Sequence, residues 1–179
     1  MASTIYACAA CSPAEPESGH LRLDPVATWE DGRVEIRTGI DFEPTPAMRE
    51  ALAHGVDLVI DVTTRVSRRM GPVARETDRR TERWRIRYLP LIEQWQLVHD
   101  GDAETAQNHP RLWLLLRDLA EPRTYLTGLQ ADALDDGAWQ VQIRVRFNRE
   151  ALPSPMHLPT LMSPDWRLGG PWHSWQFPG

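Results

Sequence analysis

Residues 139 to 147 read Trp-Gln-Val-Gln-Ile-Arg-Val-Arg-Phe, so Trp139, Val141, Ile143, Val145 and Phe147 alternate with Gln140, Gln142, Arg144 and Arg146. Successive side chains of a strand point to opposite faces, and this period of two predicts a β-strand with one dry and one wet side. The same period recurs upstream. Val34, Ile36, Thr38, Ile40 and Phe42 oppose Arg33, Glu35, Arg37 and Asp41. Residues 21 to 29 precede them as the other arm of a hairpin. Val56, Leu58, Ile60, Val62, Thr64 and Val66 alternate with Asp57, Asp61, Thr63 and Arg65, which predicts another half-buried strand. No period survives from 68 to 80, and that stretch reads as a loop. Trp84, Ile86 and Tyr88 resume the alternation. Pro90 interrupts it at an edge or a bulge, and residues 91 to 98 continue it, as two short strands or one long bent one. The pairs Asp31-Gly32, Asp100-Gly101 and Asp136-Gly137 abut these segments and suit tight turns, whose central residues need positive φ.

Two stretches have helical spacing instead. Thr45 offers an N-cap and Pro46 a first helical residue; Met48, Ala51 and Leu52 share a face, and Gly55 marks the stop. Residues 110 to 120 place Leu112, Leu115, Leu116 and Leu119 on one stripe, with Asn108 or His109 as the cap and Pro122 after the end. Residues 123 to 134 fit neither period clearly. Six or seven mainly antiparallel strands with two short inserted helices predict a mainly β fold, an antiparallel β-sandwich of immunoglobulin-like size. Doubly covered parallel strands would be apolar throughout, which these are not.

The 179 residues suit one domain, expected over 20–179 with a Trp/Pro-rich C-terminal tail, after a flexible leader remnant at 1–19. Hydrophobic residues make up 41%, yet no run approaches the ~18 apolar residues of a membrane span. All 20 basic residues are Arg, a bias that weakens any single Arg as evidence of anion recognition. Their placement is more informative. Residues 65 to 87 hold nine Arg against three acids, a local +6 in a chain of net charge −5. Arg65, Arg68, Arg69, Arg75, Arg79 and Arg80 are therefore candidate contacts for an anionic lipid, polymer or protein, although charge runs are usually solvated faces.

Both cysteines, Cys8 and Cys11, precede the expected domain, so no disulfide staples it. Ala7-Cys8-Ala9 has the small-x-small form of an export cleavage site, but the apolar stretch before it is about six residues where a signal peptide needs ~7–15. Lipid attachment at Cys11 is a weaker expectation, because Cys8 stands where a bulky aliphatic residue belongs.

Several pieces in order carry a family likeness: Ile40-Asp41-Phe42, Glu50-Ala51-Leu52, Gly55-Val56-Asp57-Leu58, Trp84-Arg85-Ile86-Arg87-Tyr88, Val145-Arg146-Phe147, Leu152-Pro153-Ser154-Pro155, and Asp165-Trp166-Arg167-Leu168 followed by Trp172 and Trp175. In this order they resemble a proteobacterial family, domain-of-unknown-function family 4390, some of whose members are labelled proline-rich signal peptide protein. The resemblance implies an exported protein of the cell envelope, with a membrane sensor kinase as a hint of a partner. It brings no catalytic residues.

Chemistry-bearing motifs are sparse. His99, Asp100, Asp102, Glu104 and His109 are ligand types for a divalent cation but match no known spacing, and a strand–turn–helix connection explains them as well. His54 with Asp57, or Ser154, Ser163 or Ser174 beside His157 or His173 with Asp165, supply the parts of a hydrolase and none of its motifs. Asp135-Asp136 reads as a turn. Trp166, Trp172 and Trp175 are candidate stacking residues, with packing across the sandwich the stronger reading. The basic segment lacks the aromatic interleaving and fold motif of a nucleic-acid module. The expectation is thus an exported, non-enzymatic envelope protein without cofactor, binding an envelope or membrane protein. Its first alternative is an electrostatic binder of anionic lipid or polymer through the segment 65–87. Its second is an enzyme of envelope polymers.

Overall fold

The structure, a computed structural model, describes residues 19–30, 33–70, 73–100, 104–130, 138–154 and 163–177. The cysteines, residues 31–32, 101–102 and 135–137 where turns were expected, and His157 lie outside them. The strands are β1 (His20–Leu23), β2 (Val26–Glu30), β3 (Arg33–Thr38), β4 (Ile40–Glu43), β5 (Leu58–Met70), β6 (Val73–Leu89), β7 (Gln94–Asp100), β8 (Glu104–His109), β9 (Arg123–Gln130), β10 (Trp139–Phe147) and β11 (His173–Phe177). Two helices interrupt them, α1 (Pro46–Ala53) and α2 (Leu112–Ala120). Every pairing is antiparallel: six strands in the order β11-β10-β5-β6-β7-β8, three in the order β2-β3-β9, and the pair β1-β4.

Alternation explains the layering. β10 buries Trp139, Val141, Ile143, Val145 and Phe147, each worth about 1.5–3 kcal/mol in apolar burial. Its register sets Val141, Val145 and Phe147 opposite Val66, Val62 and Ile60 of β5, so both strands turn the same face inward. Val34 and Ile36 of β3 and Tyr125 and Leu129 of β9 enter the same core, joined by Met48 and Leu52 of α1 and Leu115 and Leu119 of α2. The fold is mainly β, antiparallel sheets joined by two helices around a shared core, as the alternation predicts. No helix among the described residues is long and apolar enough to cross a membrane.

α1 forms as its sequence specifies. Thr45 Oγ1 accepts the Met48 N–H at 3.2 Å, Pro46 occupies the first turn, and Gly55 follows at φ +79°, where a Cβ is disfavoured. α2 differs from expectation at its start. Arg111 takes the N-cap position without a side-chain bond, while Asn108 and His109 belong to β8.

Residues 68 to 80 are ribbon where a loop was expected. β5 and β6 stay paired up to Met70 and Val73. The period is lost because residues 73–77 and 79–81 of β6 are all exposed, so both faces there are polar. Thr77 is the extra residue of a bulge opposite Val66 and Ser67, and its hydroxyl donates to the Val66 carbonyl at 3.1 Å. Residues 21 to 29 form two strands because Asp24-Pro25 break them, sending β1 to β4 and β2 to β3. Pro90 begins a turn between β6 and β7 instead of marking a bulge within one strand.

Candidate functional site

The wet face of the six-stranded sheet is cationic. Cross-strand register puts Arg65 and Arg69 of β5, Arg79, Arg83, Arg85 and Arg87 of β6, and Arg144 and Arg146 of β10 on that side, with Asp61, Glu76 and Asp100 as counterions. Arg65 and Arg79 stand directly opposite each other, a repulsive pairing, and Glu76 bridges them at 3.1 and 3.5 Å. Asp61 takes Arg83 at 3.4 Å, Asp100 takes Arg85 at 3.4 Å, and the Gln96 side-chain carbonyl accepts from Arg87 Nε at 2.7 Å.

That leaves Arg69 of β5 and Arg144 and Arg146 of β10. Among the described residues none of the three has a carboxylate within ion-pair distance. Asp61 faces Arg146 across the ladder, but it is engaged by Arg83 and accepts the Asn148 amide at 2.9 Å. Arg144 instead meets Trp172, its guanidinium carbon 4.4 Å from the ring centroid, with Arg65 at the same distance from that ring. An indole attracts cations without neutralising them. Partial burial, and then the charges of Arg146, Arg65 and Arg79, lower the Arg144 pKa from its ordinary value. It stays charged at any physiological pH.

Beside Arg144 and Arg146 a cleft of about 470 Å³ opens where β10 ends. The chain after the 3-10 turn Pro164–Trp166 returns along the strand beyond the reach of β11: Phe147 N–H donates to Leu168 O at 3.0 Å, and Gly170 N–H to Val145 O at 3.1 Å. Gly169 permits this approach, since a Cβ there would sit 3.1 Å from Val145 O and 3.3 Å from Arg146 Cα. Arg144, Arg146, Arg149 and Arg167 line the cleft with Glu150. Its aromatic side is Phe147 with Trp166, ring centroids 5.8 Å apart.

The sequence-derived candidates divide by strand alternation. Arg65, Arg69 and Arg79 fall on the wet face; Arg68, Arg75 and Arg80 fall on the other. Arg80 pairs Asp78 at 3.3 Å and Arg68 lies over Trp139 at 5.8 Å. Trp166 is core, 6% exposed, and Trp175 packs half-buried against the core beside Val141, while Trp172 serves the charged face. Arg144, Arg146, Arg149 and Arg167 escaped sequence reasoning. The first two were visible as the polar half of the β10 alternation; the others come together only through the returning tail.

The remaining polar residues have separate partners. His99 Nε2 meets Glu82 at 2.8 Å and His109 Nε2 meets Asp118 at 3.3 Å, so the two imidazoles go to different carboxylates. Ser174 accepts the Gln140 amide at 2.7 Å, Ser163 donates to Asp165 at 3.2 Å, and His54 contacts the Glu50 carbonyl in its own helix. Burial raises the pKa of Asp57, opposed by Arg87 and Arg85, and burial likewise raises that of Tyr125.

Compared with known proteins, residues 24–176 match the family described as Domain of unknown function (DUF4390). No curated protein and no solved structure matches.

Proposed function

The chain belongs to the DUF4390 family, and from that premise we propose that it is an exported envelope protein that works without catalysis, binding an anionic envelope component through its cationic sheet face. One observation carries the reading. Eight Arg share that face with Asp61, Glu76 and Asp100 and with the register position of Glu104, and among the described residues Arg144 and Arg146 have no carboxylate as an ion-pair partner. Counterions that saturated every guanidinium would have made the face a structural network; here an excess of positive potential faces outward. Export is supported by the small-x-small site at Ala7-Cys8-Ala9.

The test is binding of the full chain to vesicles of phosphatidylglycerol and of phosphatidylcholine at low and high salt. Retention on the anionic vesicles alone, lost in high salt, is the expected result, since salt screens exposed charge. Equal binding to both vesicles, or to neither, would remove the reading. A second reading, contact with a membrane protein, is favoured by Leu91, 99% exposed, and Ile92 in the turn between β6 and β7. An apolar contact of that kind persists in high salt.

A further inference from the structure

The cleft at the end of β10 has a chemistry more specific than the face around it. We infer that it is a binding site for a phosphate group carried by a small ligand, held by Arg144, Arg146 and Arg149 and backed by the aromatic pair Phe147 and Trp166. This rests on the cationic reading of the face and narrows it to one place.

Among the described residues four guanidiniums line a space of about 470 Å³, within the range of small-molecule sites, and Glu150 is the one carboxylate in the lining. Each guanidinium presents a planar fork of N–H donors. A carboxylate occupies one fork, whereas the terminal oxygens of a phosphate accept from several converging forks, so the number of arginines favours phosphate. The charge balance agrees. The nearest acid across the ladder, Asp61, is shared by Arg83 and Asn148, and the cations around Arg144 repel one another. An anion in the cleft relieves that repulsion. The buried Phe147–Trp166 pair closes that side of the cleft with an apolar wall for the uncharged part of the ligand. The strap of residues 168–170, hydrogen-bonded to β10, holds the walls in place.

A phosphate monoester has two sources in an envelope, a free phosphorylated metabolite or a lipid headgroup, and both present the same chemistry to the cleft. The experiment titrates the full chain by calorimetry with inorganic phosphate and with glycerol 3-phosphate, ionic strength held constant with sodium chloride. The variants are Arg144→Gln with Arg146→Gln, and Arg117→Gln, which lies in the last turn of α2, outside both the cleft and the cationic face. Saturable binding that weakens about tenfold or more in the double variant, and stays unchanged in Arg117→Gln, is the expected result. Phosphatidic acid vesicles then compete with glycerol 3-phosphate if the source is a headgroup and fail to compete if it is soluble; either outcome supports the cleft.

Absence of saturable binding by both probes would overturn the site, as would equal weakening in Arg117→Gln. Salt-sensitive retention on phosphatidylglycerol vesicles would still uphold the broader face, so the two failures are distinguishable. Circular dichroism checks the fold, and if the double variant unfolds, Arg149→Gln carries the same test.

Discussion

The imidazole of His99 lies flat on the indole of Trp84, ring centroids 4.0 Å apart and planes 10° apart, while its Nε2 meets Glu82 at 2.8 Å. The two residues are register partners on β7 and β6, so the ladder itself sets the stack. Arg123 covers Trp84 as well, 4.6 Å from the ring centroid, and is tied to Asp118 at 2.9 Å. Trp84 thus joins the core to a layer of charged groups beneath α2.

Removing the two rings should separate their roles. Trp84→Ala empties a buried site and is expected to cost about 3–5 kcal/mol. His99→Ala forfeits a ring stack worth about 0.5–1.5 kcal/mol together with its carboxylate contact. Urea unfolding of both variants and of the double variant checks this, with a sub-additive double variant as the signature of the stack.

Gly39 is expected to tolerate no side chain. A Cβ there would stand 1.9 Å from the Ala120 carbonyl oxygen, where the last turn of α2 rests on the link between β3 and β4. Gly39→Ala must push the helix off, a cost of about 1–3 kcal/mol by the ordinary penalty for overpacking. A lowered denaturant midpoint at unchanged slope would match; an unchanged midpoint would show that the contact yields freely.

Asp57 gives a pH dependence of known sign. Its carboxyl pKa is raised in the fold above the ordinary carboxylate range, chiefly by burial. The protonated form therefore favours folding below the ordinary carboxylate range, and that contribution is lost as pH rises through the raised value. Asp57→Asn, which keeps the side chain neutral, should melt higher than the parent at neutral pH, with the difference shrinking in acid. Thermal melts across pH test both halves.

Trp172 should matter more to the charged face than to the core. Its ring is shared by Arg65 and Arg144, each at 4.4 Å. A double-mutant cycle on Trp172→Ala and Arg144→Gln is expected to give a coupling of about 0.5–1 kcal/mol, the size of an exposed cation–π pair. Zero coupling in equilibrium unfolding would mean the ring is held by the strap alone.

Where one face of an element is buried, the sequence announced it. Thr45-Pro46 predicted the start of α1, and the alternation of 139 to 147 predicted both the core side of β10 and the wet side that carries Arg144 and Arg146. Where neither face is buried, the pattern carried no information. The stretch Val73 to Thr81 is exposed at every position but Asp78, and in β8 residues Thr105 to Asn108 are all exposed, so no buried apolar stripe marks either as strand. β9 was obscured differently. Its buried side reads Tyr125, Thr127, Leu129, and the Thr is satisfied by donating to the Val34 carbonyl at 2.6 Å, a partner 93 residues away. The cleft was illegible for the same reason of distance: Arg167 reaches Arg144 and Arg146 only through backbone bonds that no local spacing encodes.

The β5–β6 hairpin therefore joins two thermal regimes in one continuous pair of strands. At its base, Leu58, Ile60, Trp84 and Ile86 are core, and their amides open only when the whole molecule does. Toward Met70 and Val73, β6 keeps β5 as its partner and loses β7, whose pairing stops at Arg83. Amide hydrogen exchange should read out a gradient along a single ladder, slow at Ile86 and fast at Ala74, with each rung outward protected less than the one before. A hairpin graded in this way can lose its outer rungs while its root still holds the molecule together.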